Sequence, residues 1–105
     1  MITLLFYGEE AERKRVIDYL TAELAKCNVS VDYGTGRIAQ FTIVETNDSV
    51  ALNKYDKDTT VVFDLTQNET DFGMKRIRIN PNMDDALVRF HVKRAIEMVT
   101  TLNDS

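Results

Sequence analysis

The sequence predicts a single α/β domain: a small sheet with two main helices, in the order β-α-β-β-(α)-β-β-α. Three observations carry this reading. Ile2–Tyr7 and Thr59–Leu65 are short apolar runs without polar alternation, the pattern of strands covered on both faces. Residues 9–26, and those from Met83 onward, switch to helical spacing. The chain has 105 residues, with one proline and four glycines, which suits one domain able to bury a core without metal or disulfide staples. The boundaries read as a domain over 1–102 and a disordered tail over 103–105. The competing arrangement is a two-layer α+β sandwich with a more antiparallel sheet.

Each element has its own signal. Gly8 breaks the first apolar run, and Glu9, Glu10 and Glu12 then crowd a helix start, where the helix dipole favours negative charge. Val16, Ile17, Leu20 and Leu24 share one face of that helix. Val29, Val31 and Tyr33 alternate with polar residues as a short strand does, and Gly34-Thr35-Gly36 supplies a turn. Arg37–Glu45 resumes β character, so this pair is a hairpin or one long strand broken by a glycine loop. Residues 48–55 are a short helix candidate capped by Asn47 or Asp48. The β-branched and aromatic content of TTVVFDL marks residues 59–65 as strand. Over residues 75–79, Ile77 and Ile79 face the core while Arg76 and Arg78 face away. A last helix begins near Met83, with Asn82 as cap and Asp85 three residues on. Its buried stripe is Val88, Val92, Ala95, Ile96, Val99 and Leu102.

The formal net charge is −4, unevenly distributed. Residues 32–71 hold eight acids against three bases, whereas residues 72–105 hold six bases against four acids. An acidic middle and a mildly basic end suit a protein-interaction module. Cys27 is the sole cysteine, so an intramolecular disulfide and a cysteine metal site are both excluded. It is expected to be a half-buried thiol at the end of the first helix, in a reducing compartment. No basic region precedes the first apolar run and no apolar stretch approaches a membrane span, so a cytoplasmic location is expected.

Three segments resemble a response-regulator receiver domain. LLFYGEEAERKRVIDYL resembles that family's opening strand, acidic pair and helix; TVVFDLTQ its phospho-acceptor strand; and IRINPNMDDALVRFHVKRAIEMV its closing strand and helix. The resemblance implies a flavodoxin-like or receiver-like fold, shortened, since 15 residues separate Asp64 from Asn80. It puts Asp64 at the phospho-acceptor position, Glu9 and Glu10 nearest the acidic pair, and Asn80-Pro81 where the family has Lys-Pro. Gly8 and Asn80 depart from the family's pattern, the latter removing a lysine.

Carboxyl ends of parallel strands are where open α/β sheets bind ligands. Glu9, Glu10 and Asp64 are therefore candidate Mg²⁺ ligands, with Asp64 the acceptor of a phosphoryl group in a Mg-dependent alternative. His91 is the sole histidine and is expected to be a partly buried helix residue. No complete catalytic set, cofactor motif or nucleotide loop is present, and the leading expectation is a non-catalytic regulatory or adaptor module. Its contact residues would be Arg76, Arg78, Arg89 and Lys93, facing a protein partner or a second copy. A third class, nucleic-acid binding through the same basic C-terminal face, is disfavoured by the overall acidity and by the lack of interleaved aromatics.

Overall fold

The computed structural model describes residues 2–66, 75–80 and 82–104, with residues 102–104 described in backbone only. It contains strands β1 (Ile2–Tyr7), β2 (Val31–Asp32), β3 (Phe41–Thr46), β4 (Thr60–Asp64) and β5 (Lys75–Arg78). Helices α1 (Glu10–Ala25) and α2 (Asp85–Asp104) and a 3-10 helix (Ser49–Lys54) complete the described elements. The strands form one sheet in the order β2-β3-β1-β4-β5, and every pairing is parallel. The α/β reading therefore holds, and the antiparallel α+β sandwich does not.

Alternation along the strands divides the buried residues into two groups. Leu4, Phe6, Ile43, Val61 and Phe63 face both helices, meeting Val16, Leu20 and Leu24 of α1 and Val88, Val92, Ile96 and Val99 of α2. The Phe6 and Phe63 rings stack at the centre, 4.6 Å between centroids and 8° from parallel. Leu4, Phe6, Val61, Phe63, Val92, Ile96 and Val99, drawn from the two apolar strands and the last helix, thus share one core. The other sheet face buries Leu5, Tyr7 and Val62 against Leu52 of the 3-10 helix, with Val44 and Tyr55 alongside. Asp48 caps that helix by accepting a hydrogen bond from Val50 N at 2.9 Å. Among the described residues no helix is long and apolar enough to cross a membrane.

The structure corrects four local expectations. β2 and β3 are neither a hairpin nor one broken strand, since they pair parallel, Val31 with Phe41 and Asp32 with Thr42. The connection must return the chain to the end from which it left. Asp32 organises that return: its buried carboxylate accepts from Thr35 N, Thr35 Oγ1 and Gly36 N. Gly34 and Gly36 adopt φ of 88° and 85°, a region side chains disfavour. The cap of α2 is Asp84 rather than Asn82, because Asp84 Oδ1 accepts from Leu87 N at 2.9 Å. Asn80 has already turned the chain, its side chain accepting from Asn82 N and its carbonyl from Met83 N. Cys27 is exposed, not half-buried, because α1 ends at Ala25 and turns away there. Finally, α2 continues through Asp104, past the boundary set at Leu102, with no proline or glycine to stop it. The expectations for Pro81 and for the Leu102 side chain lie outside the described residues.

Candidate functional site

Parallel register brings Thr46, Tyr7, Asp64 and Arg78 into one row at the carboxyl end of the sheet, with Val44, Leu5, Val62 and Arg76 in a row one pleat earlier. Asp64 thus shares a face with Val62, the face opposite the two long helices. It is fully buried. Its Oδ1 accepts from Thr66 N at 2.9 Å and from Thr66 Oγ1 at 2.7 Å. Its Oδ2 is buried with no hydrogen-bond partner among the described residues, 3.7 Å from Arg76 Nη1. That separation is an ion-pair contact, longer than a hydrogen bond.

Glu9 and Glu10 stand exposed at the start of α1, just beyond the carboxyl end of β1. Among the described residues no group of three or more His, Cys, Asp or Glu side chains is arranged to hold a metal ion. The space between the ends of β1 and β4 is closed by backbone contact. Leu65 N donates to Tyr7 O at 2.9 Å, and a Cβ on Gly8 would stand 2.9 Å from Leu65 Cβ. Arg13 ties the α1 entrance down, donating to Gly8 O and pairing with Glu45 at 3.2 Å.

The four expected contact residues do not form one patch. Arg76 and Arg78 leave β5 on the face that Asp64 occupies, away from α2. Arg89 lies instead over the Tyr19 ring of α1, 4.8 Å from its centroid, beside Glu23 and Lys26. Lys93 is exposed on α2. At the edge strand β5, Arg76 also contributes to the lining of an open groove between β5 and α2.

This groove, about 450 Å³, is lined by Arg76, Ile77, His91, Arg94, Ala95 and Met98. Its apolar floor and basic rim combine on one surface what the sequence shows as separate features. Among the described residues no carboxylate lines it, and the lining there favours an anionic group. Sequence reasoning assigned contact roles to Arg89 and Lys93 and missed His91, Arg94 and Met98. The signal was available at 100° per residue, since His91, Arg94 and Met98 share a stripe adjoining the buried one. Nothing in the sequence says which flank of the buried stripe meets β5.

Two further carboxylates are held below their ordinary range. Asp32 is lowered chiefly by the Thr35 hydroxyl, against an opposing effect of burial, with the loop amides adding to the lowering. Asp85 is lowered first by its hydrogen bond from Arg15, at 2.6 Å. That contact also pins α1 to the start of α2.

Comparison of the chain with protein-family models, with curated protein sequences and with solved structures returned no match.

Proposed function

We propose that this chain is a small, non-catalytic regulatory or adaptor module of the cytoplasm that works through protein contacts at the groove between α2 and β5. The observation supporting this reading is the groove's composition. Arg76, His91 and Arg94 surround Ile77, Ala95 and Met98, the mixture of charged rim and apolar centre that protein interfaces use. The complementary partner carries carboxylates around an apolar side chain. A long nucleic acid fits less well, because a chain of net charge −4 with an acidic middle repels an extended polyanion.

The test uses purified components. A partner recovered by affinity capture from the native cell is titrated against the wild-type chain and against His91→Glu/Arg94→Glu. A loss of binding of tenfold or more supports the groove, while unchanged affinity rejects it. Labelled DNA and RNA titrated at about 0.15 M salt provide the counter-test, where sub-micromolar affinity would favour the nucleic-acid class.

A second reading is the Mg-dependent phospho-accepting receiver-like module with Asp64 as acceptor and Glu9 and Glu10 as metal ligands. In its favour is the position of Asp64 at the carboxyl end of β4, beside the end of β1 in a parallel sheet. The burial of Asp64 and its engagement with Thr66 and Arg76 weigh on the other side.

A further inference from the structure

The outer face of α2 carries large apolar side chains that its own fold leaves exposed. Val88, Val92, Ala95, Ile96 and Val99 point into the core. At 100° per residue, Phe90, Arg94, Glu97 and Thr101 occupy the opposite line of the helix. Phe90 is 53% exposed on this outermost line, flanked by Leu87 at 43% and Met98 at 40%. Leu87, Phe90, Arg94, Glu97 and Thr101 follow the alternating three- and four-residue spacing of a helix–helix seam.

The charges on this seam choose its occupant. Laid parallel on a second copy, it sets Arg94 against Arg94 and Glu97 against Glu97. Laid antiparallel about a two-fold axis, it sets Arg94 of each copy against Glu97 of the other. The same register lays each Phe90 over Thr101 and Met98 of the second chain, where a thioether packs well on an aromatic ring. Within one chain, the Arg94 guanidinium lies over the Phe90 ring, 5.9 Å from its centroid. We propose that two copies of this chain associate through an antiparallel, two-fold α2–α2 contact centred between Arg94 and Glu97. The seam shares Arg94 and Met98 with the groove, but Phe90 and Glu97 do not line the groove and Arg76 and His91 lie off the seam, so substitutions at those four positions tell the two surfaces apart.

One helix face is a small interface, at the low end of the size classes, so weak, concentration-dependent association is expected. Sedimentation equilibrium of the full chain, from about 1 µM to about 1 mM, reads the transition from monomer to dimer by mass action. Phe90→Ser, Arg94→Glu and Glu97→Arg each shift the midpoint upward at least tenfold. All three positions are exposed, and circular dichroism verifies that each variant is folded. An equimolar mixture of the Arg94→Glu and Glu97→Arg chains recovers the dimer, since each acidic seam then faces a basic one. A wild-type chain that stays monomeric to the top of the range overturns the inference. So does a dimer indifferent to these substitutions, or a mixture that fails to recover. Retained binding of a groove partner by Phe90→Ser keeps the two proposals distinguishable.

Discussion

Arg76 stands 3.7 Å from the buried Oδ2 of Asp64, a counter-charge for a carboxylate that the fold has taken wholly out of water. Removing an arginine from such a pair leaves an uncompensated buried charge, which is worse than never having formed the pair. Arg76 keeps about a quarter of its side chain in solvent, at 23%, and water screens part of the interaction. Arg76→Ala is expected to cost about 2 kcal/mol, below the ~3–5 kcal/mol of a fully buried pair. Arg78→Ala, on an exposed side chain, is expected to cost under about 1 kcal/mol. Urea unfolding of both variants checks the difference. It also explains why groove binding is better probed at His91 and Arg94, where a loss of affinity is not confounded with a loss of fold.

The stacked Phe6 and Phe63 rings occupy the middle of the sheet beneath both helices. Phe63→Ala is expected to cost ~3–5 kcal/mol, as buried aromatic truncations do. A loss below ~1 kcal/mol in denaturant titration, a value typical of surface positions, would contradict the packing of β4.

Gly8 lies where β1 passes Leu65, and a methyl group there would come within 2.9 Å of Leu65 Cβ. Gly8→Ala is expected to lower stability by about 1–3 kcal/mol through overpacking. Trimming Leu65 to alanine does not relieve the contact, since Cβ remains, whereas Leu65→Gly does. Double-mutant thermal melts separate the two cases.

Acid sensitivity follows from Asp32 and Asp85, both held below their ordinary range in the folded protein. A depressed folded-state pKa contributes stability above the unfolded value of about 4 that is lost as pH falls through the folded value. Stability is therefore expected to be level from neutrality to about pH 5 and to fall below about pH 4. The double substitution Asp32→Asn/Asp85→Asn is expected to flatten that fall. Urea midpoints measured from neutrality down to acid pH decide it.

Asp64 is not expected to accept a phosphoryl group. Its Oδ1 is engaged by Thr66, its Oδ2 is sealed from solvent, and among the described residues no group of three His, Cys, Asp or Glu side chains is arranged to hold the metal. Incubation with acetyl phosphate and Mg²⁺ should leave the intact mass unchanged. An added phosphoryl mass that Asp64→Asn abolishes would promote the receiver-like reading over the adaptor one.

Much of the architecture was legible because hydrophobic periodicity is a local signal. The extents of β1, α1 and β4 and the inward faces of Ile77 and Ile79 follow from spacing alone. The parallel pairing of β2 with β3 was hidden, because two glycines permit several turns. The deciding contact is Asp32 with Thr35 and Gly36, which no periodicity encodes. The surroundings of the candidate site residues were hidden for a related reason. Arg76 and Arg78 were correctly turned from the core, yet their neighbours depend on which strand lies beside β5. Only the order β1-β4-β5 puts Asp64 within reach of Arg76, and only the docking of α2 decides that Arg94 joins it while Arg89 goes to Tyr19.

The central place of β1 has a kinetic consequence. Ile2 pairs with Phe41 on one side and Thr3 with Thr60 on the other, so the first strand waits for two remote segments before either ladder can close. Loop-closure entropy must be met before those pairings return any energy, and such topologies fold slowly for their size. Refolding followed by pulsed hydrogen exchange should find α1 amides protected early and those of Leu4–Phe6 protected late, together with β4. The chain cannot secure its beginning until residues near its middle are in hand, and through that interval the apolar run from Ile2 to Tyr7 is the segment most exposed to the wrong neighbour.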